Sequence, residues 1–76
     1  FQEYVFCFIL KVSPRKRSEV YEKIKGLTVQ KAFRVAGDID ALLIIERSKL
    51  DEVLRKLSSI GGVKDTKSYV AIEPIK

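Results

Sequence analysis

Two segments of this chain are apolar at almost every position, and they limit its possible folds more than any other feature. They are residues 3–12, EYVFCFILKV, and residues 41–46, ALLIIE. The first is rich in β-branched and aromatic residues, which favour strands. The second follows Gly37-Asp38-Ile39-Asp40, a segment with the residue types of a turn. We therefore predict a sheet in which two strands are hydrophobic on both faces.

Side chains alternate between the two faces of a strand, so each segment divides into two sets. In the first strand one set is Tyr4, Phe6, Phe8, Leu10 and Val12, and the other is Val5, Cys7 and Ile9. In the second segment Leu42 and Ile44 oppose Leu43 and Ile45. Alternation alone does not decide which set faces the interior.

Two amphipathic helices are predicted because apolar residues recur at spacings of three and four. One begins at Ser13-Pro14, an N-cap followed by the first helical residue, and ends near Gly26. The other has Ser48 as its N-cap and stops at Gly61-Gly62. The apolar stripes are Val20, Tyr21, Ile24 and Leu27 in the first helix and Leu50, Val53, Leu54, Leu57 and Ile60 in the second.

Two further strands complete the pattern, at residues 28–36 and at about 66–73. The order β-α-β-β-α-β is that of the ferredoxin-like, split βαβ arrangement. We predict an α+β fold, one domain over residues 1–76, whose four-stranded antiparallel sheet carries both helices on one face. The two most apolar strands take the centre of the sheet, and the strand with Gln30, Lys31 and Arg34 takes an edge.

The helices cover one face of such a sheet and leave the other as an exposed apolar patch, which monomers rarely tolerate. Hydrophobic residues make up 46% of only 76 residues, and a single cysteine without histidine offers no disulfide or zinc site to stabilise a small core. We therefore predict a sheet-to-sheet homodimer. Its predicted contacts are Tyr4, Phe6, Phe8, Leu42 and Ile44, with Val5, Cys7 and Ile9 as the alternative set for the first strand.

The composition excludes several classes of function. Without histidine the chain lacks Ser-His-Asp and Cys-His catalysis and most transition-metal sites, so we predict no enzyme activity, metal or cofactor. Cys7, in an apolar run, is typical of a buried side chain in a reducing compartment.

The same composition bears on location. No apolar run approaches the roughly 20 residues of a membrane span, and no export signal is visible, so we expect a cytoplasmic protein. The chain starts with Phe1 rather than methionine, which indicates processing or excision. Asparagine, histidine, methionine and tryptophan are absent while lysine and glutamate abound, a bias typical of thermophiles.

A net charge of +5 raises the question of a nucleic-acid partner. The basic residues are spread along the chain, and acidic residues interrupt them as on a solvated helix surface. The one cluster, Arg15-Lys16-Arg17, falls where a helix is predicted to begin; it could hold an anion there, but it opposes the helix dipole. We predict no direct nucleic-acid binding and no membrane partner.

Two motifs, VAGDIDALLIIE and IGGVKDTKSYVAIE, separated by an amphipathic helix, resemble the C-terminal domain of the Lrp/AsnC transcription regulators, often called the RAM domain. The resemblance covers essentially the whole chain. It implies a ferredoxin-like domain that dimerises through its sheets, assembles into a higher oligomer, and binds an amino acid or related small effector between subunits.

The resemblance also implies the binding residues. Gly37, Asp38 and Asp40 match the family's glycine loop and turn aspartate, and Thr66 and Ser68 match its hydroxyl pair. The chemistry suits a zwitterion, since a carboxylate receives an ammonium while hydroxyl and backbone N–H donors orient a carboxylate. The alternative is structural: the first three residues also fit an ordinary hairpin turn, and the hydroxyl pair fits an ordinary strand.

The sequence leaves three alternatives for the whole protein and its function. Complete Lrp/AsnC regulators carry a helix-turn-helix domain ahead of this module, and nothing in these residues corresponds to it. The chain is therefore either an excised domain or a stand-alone protein that joins a DNA-binding Lrp/AsnC relative. A small dimeric ferredoxin-like enzyme of the cofactor-free monooxygenase type is one alternative function. An ACT-type domain, with its ligand near Ser13-Pro14-Arg15, is another.

Overall fold

The computed structural model describes residues 4–76 and confirms the predicted ferredoxin-like order of elements. The strands are β1 (Tyr4–Val12), β2 (Lys31–Arg34), β3 (Ala41–Glu46) and β4 (Val63–Val70), and the helices are α1 (Arg17–Lys25) and α2 (Leu50–Ser58). Within these residues the strands form one antiparallel sheet in the order β2-β3-β1-β4. The two most apolar strands are central, as predicted. Glu3, where the first strand was predicted to begin, lies outside the described residues.

The hydrophobic core lies between one face of this sheet and both helices. Val5, Cys7 and Ile9 of β1 and Leu43 and Ile45 of β3 are fully buried. The helices contribute the predicted stripes: Val20, Ile24, Val53, Leu57 and Ile60 are buried, and Tyr21, Leu27, Leu50 and Leu54 pack around them. The face of the sheet away from the helices, which we call the outer face, therefore carries Tyr4, Phe6, Phe8, Leu42 and Ile44.

The prediction for Val12 was wrong, because β1 does not alternate to its end. The pairing of β1 with β4 shifts register between Ile9 and Lys11 and again between Lys11 and Val12. Such a bulge resets the alternation of side chains. As a result Val12 turns into the core, where it is 1% exposed.

The predicted start at Ser13-Pro14 is right in position, with Ser13 as N-cap and Pro14 first in the turn, but neither serine caps a helix with its side chain, and Ser48 is not an N-cap. A 3₁₀ turn precedes each helix, Pro14–Lys16 before α1 and Arg47–Lys49 before α2. Ser13 makes no side-chain cap; its backbone carbonyl instead accepts a hydrogen bond from the N–H of Lys16 at 3.0 Å. Ser48 donates its hydroxyl to Glu46 Oε1 at 3.0 Å. A backbone hydrogen bond thus closes the 3₁₀ turn before each helix, and no serine hydroxyl caps it.

The two edge strands, β2 and β4, differ in length from the prediction. The strand predicted at 28–36 is the four-residue β2, and the strand predicted at about 66–73 runs from Val63 to Val70. The last strand starts early because the bulge lets Val63 pair with Val12. No helix within residues 4–76 is long and apolar enough to span a membrane.

Candidate ligand-binding site and sheet interface

The outer face is a continuous apolar band. In the register of the sheet Phe6 lies opposite Ile44 and Phe8 lies opposite Leu42. All four side chains are partly exposed, and Tyr4 at the end of the band is 36% exposed. The structure therefore brings together the five residues predicted as dimer contacts, on the face that the helices leave uncovered.

Two aromatic residues outside the predicted dimer contacts extend this band to the sheet edges. Phe33 of β2 lies opposite Leu42 and is 48% exposed. Tyr69 of β4 is 54% exposed and meets the ring of Phe8 edge-on, with the ring centroids 5.7 Å apart. Their positions depend on the strand register, which local patterns did not reveal. The band thus crosses all four strands of the described sheet.

The turn between β2 and β3 holds the first group of predicted ligand residues. Gly37 has φ +135°, a conformation that favours glycine, and Asp38 is exposed. Asp40 is half-buried, and its Oδ2 accepts a hydrogen bond from the N–H of Val12 at 2.7 Å. One oxygen of Asp40 is thus committed to the bulge of β1, whereas the carboxylate of Asp38 faces solvent.

The hydroxyl pair lies elsewhere, on the edge strand β4. Thr66 pairs with Ile9 and Ser68 with Cys7, so both hydroxyls are on the helix side of the sheet. They line a cleft of about 480 Å³ between α2 and β4. The other residues around this α2–β4 cleft are Leu54, Leu57, Ser58, Val63, Lys64 and Asp65.

Three of these additional residues have the chemistry of a binding site. Lys64 and Asp65 place opposite charges at the cleft, and Ser58 of α2 adds a hydroxyl oxygen as an acceptor, since its proton is donated to the carbonyl of Arg55 at 2.8 Å. A zwitterion requires such a combination of a cation, an anion and hydroxyl donors. The sequence signal that could have identified two of them is their position directly before Thr66 in the motif KDTKS.

Ser68 also acts on the buried cysteine. Burial raises the pKa of the Cys7 thiol above its ordinary value, and a side-chain hydrogen bond with Ser68 lowers that pKa in part. The net shift is upward, so the thiol is protonated at neutral pH. A protonated, fully buried thiol is a packing group and a poor nucleophile.

The two groups of ligand residues do not meet within one chain. Ile9 of β1 pairs with Ala41 on one side and with Thr66 on the other, so β1 separates the turn from the hydroxyl pair. Two strand spacings amount to roughly 10 Å. None of Gly37, Asp38 and Asp40 lines the α2–β4 cleft.

Comparisons with known proteins agree with this architecture. Residues 5–76 match the family model of the Lrp/AsnC ligand binding domain. A comparison with curated proteins finds no match. Among solved structures, TTHA0845 from Thermus thermophilus is similar at 22% identity with a TM-score of 0.80, covering 96% of each chain. FFRP-DM1 is similar at 24% identity with a TM-score of 0.75, over 91% of this chain and 97% of that one.

A longer protein contains the same fold as one part. An AsnC family transcriptional regulator from Agrobacterium tumefaciens is 26% identical, with a TM-score of 0.74, over 96% of this chain and 52% of the regulator. The present chain therefore spans about half the length of that regulator and almost the full length of the two shorter proteins.

Proposed function

This chain belongs to the Lrp/AsnC family of transcription regulators, and we propose that it is a non-enzymatic module that senses an amino acid or a related small effector and assembles subunits. The observation that carries the proposal is the α2–β4 cleft, in which hydroxyl groups, one cation and one anion surround an apolar floor. In this role it works in the cytoplasm and does not itself bind nucleic acid.

Assembly is assigned to the outer face. A homodimer that stacks two sheets buries the band of Tyr4, Phe6, Phe8, Leu42 and Ile44, together with Phe33 and Tyr69. Sheets packed face to face interdigitate such side chains in a layer about 10 Å thick. The hydrophobic gain from covering the band supplies the stability that a core of this size lacks.

Effector binding is assigned to a subunit interface in a higher oligomer. Thr66 and Ser68 orient the effector's carboxylate in the cleft, and Asp38 or Asp40 from a neighbouring subunit receives its ammonium. Two subunits are needed because β1 separates the two groups within one chain and keeps that chain from enclosing a small ligand with both.

The lining of the cleft favours an effector with an aliphatic side chain. Leu54, Leu57 and Val63 form its apolar part, and burying a branched aliphatic side chain against them contributes about 1.5–3 kcal/mol. An effector that binds only where two subunits meet shifts the equilibrium toward that assembly. A DNA-binding Lrp/AsnC relative in the same assembly would transmit the shift to transcription.

Calorimetry against the twenty amino acids tests the sensing function, with native mass spectrometry of the same samples to follow the oligomer. We expect at least one aliphatic amino acid to bind and to change the distribution of oligomer masses. The double substitution of Thr66→Ala and Ser68→Ala should weaken this binding at least tenfold, because two hydrogen bonds to a charged group are lost. Ser48→Ala, outside the cleft, is the matched control.

If none of the twenty amino acids gives a heat of binding at millimolar concentration, the sensing function is refuted. The ACT-type alternative predicts instead that Pro14→Ala weakens binding and Asp38→Ala does not. A monomeric mass at every concentration would refute the assembly function.

A further inference from the structure

A second groove lies on the opposite side of the molecule from the α2–β4 cleft, between α1 and the edge strand β2. Tyr21, Ile24 and Lys25 line it from the helix, and the sheet contributes Ala32, Phe33, Arg34, Ala41 and Leu43. Ala32 pairs with Leu43, so both are on the helix side of the sheet, away from the outer face. The groove shares no lining residue with the α2–β4 cleft, and it meets the outer-face band at Phe33, which also borders it.

The charged residues that line this groove are both positive. Its two charged lining residues are Lys25 and Arg34, and no carboxylate lines it. Lys25 contacts Glu22 at 2.8 Å on the exposed surface of α1. Arg34, in contrast, forms no ion pair with another described residue, and its guanidinium carbon sits 5.1 Å from the centre of the Tyr21 ring. A guanidinium stacked on an aromatic ring keeps its N–H edge available for a carboxylate.

The size and lining of the groove limit which ligands it can hold. Its volume is about 210 Å³. An apolar protein cavity of about 150 Å³ is large enough to bind benzene, and drug-sized ligands require about 300 Å³ or more. A single aromatic ring with one short substituent therefore fits. Tyr21 provides an aromatic wall and Ala32 an exposed aliphatic one, behind which Ile24 and Leu43 are buried in the core.

We propose that the α1–β2 groove binds a small aromatic monocarboxylate, with its ring against Tyr21 and Ala32 and its carboxylate on Arg34. The lack of an acidic lining residue argues against an α-amino acid here, since its ammonium would have no partner and would lie near two cations. The groove thus takes a different ligand class from the zwitterion of the α2–β4 cleft, and the proposal stands independently of that site.

Titration of the ¹⁵N-labelled protein with phenylacetate tests the proposal by NMR. We expect saturable shifts of the backbone amides of Tyr21, Ala32 and Arg34. Phenylacetamide, of nearly the same shape but neutral, should bind about tenfold more weakly or worse, because the charge-assisted hydrogen bond to Arg34 is lost. L-Phenylalanine should leave these amides unshifted.

Two variants examine the two halves of the site. Arg34→Gln should weaken phenylacetate binding about tenfold, whereas Arg55→Gln, the same charge change on the exposed side of α2, should leave it unchanged. Ala32→Leu fills the groove from an exposed strand position and should abolish binding while the protein remains folded.

The proposal is overturned if phenylacetate causes no saturable shifts in the groove at millimolar concentration. It is equally overturned if phenylacetamide binds as well as phenylacetate, or if both Arg34→Gln and Ala32→Leu bind like the unaltered chain.

Discussion

The carboxylate of Asp40 accepts a hydrogen bond from the backbone N–H of Val12, with 2.7 Å between Oδ2 and the nitrogen. The bulge near the end of β1 moves Val12 out of the regular pairing pattern, and Asp40, in the turn that leads into β3, accepts the hydrogen bond of its N–H. The backbone N–H of Asp40 in turn donates to the carbonyl of Ile9 at 2.9 Å. One turn aspartate therefore ties β3 to the bulge that turns Val12 into the core.

Substitution of Asp40→Ala should destabilise the fold by about 1–3 kcal/mol, because it leaves the half-buried N–H of Val12 without its charged acceptor. Asp38→Ala, two residues earlier on the exposed part of the same turn, should change the stability by less than about 0.5 kcal/mol. Urea unfolding of the two variants measures the difference. Equal stability of the two would contradict a structural role for Asp40.

Gly62 and Gly37 should respond differently to alanine. Both have positive φ, +105° and +135°, so alanine strains the backbone at either position by about 1–3 kcal/mol. At Gly62 a Cβ would also lie 3.0 Å from Lys16 Cβ and from Val20 Cγ2, whereas at Gly37 the space is open. Crowding of this kind destabilises the fold by a further ~1–3 kcal/mol, so Gly62→Ala should be the less stable variant. Thermal unfolding measures the stability of both variants. A lower stability of Gly37→Ala than of Gly62→Ala would contradict crowding of the Gly62 position by Lys16 and Val20.

Ile44→Glu should dissociate the proposed sheet-to-sheet dimer without unfolding the monomer. Ile44 lies in the middle of the outer face, opposite Phe6, and is already partly exposed, so a carboxylate there is costly only when a second sheet covers it. Ile75→Glu introduces the same charge at a fully exposed position in the C-terminal segment and serves as the control. Light scattering gives the mass, and a dimeric mass for Ile44→Glu would exclude this face as the interface.

Cys7 should make stability fall at alkaline pH. Burial raises the pKa of its thiol above the ordinary value of 9.0, so the folded state favours the protonated form. The contribution is fully present below the unfolded pKa and is lost as the pH rises through the higher folded pKa. Cys7→Ala should remove this part of the pH dependence of unfolding.

The same thiol should alkylate slowly in the native protein. Ser68→Ala should shift the pH dependence of its alkylation rate to higher pH, because the hydrogen bond that lowers the thiol pKa is lost. The chain has one cysteine, so the rate of iodoacetamide incorporation reports on this site alone. Reaction as fast as that of an exposed thiol, or an unchanged profile in Ser68→Ala, would contradict the assigned environment.

Local patterns in the sequence were sufficient for much of the fold. The segment ALLIIE was predicted as a strand over residues 41–46, and β3 occupies those residues. The helix stripes were predicted from their spacing, and Val20, Ile24, Val53 and Leu57 are buried accordingly. These features follow from the periods of helices and strands, which depend on residues close together in the chain. The order of such elements then limits the topology to few arrangements.

Only the tertiary structure decided which face of each strand is inside, how each helix begins, and where β1 departs from alternation. It also placed Asp40 and Thr66 on opposite sides of β1 and positioned Arg34 over Tyr21. All of these depend on pairing and packing between residues far apart in sequence. The bulge at Val12, for example, is defined by partners at Asp40 and Val63, which no pattern within β1 could reveal.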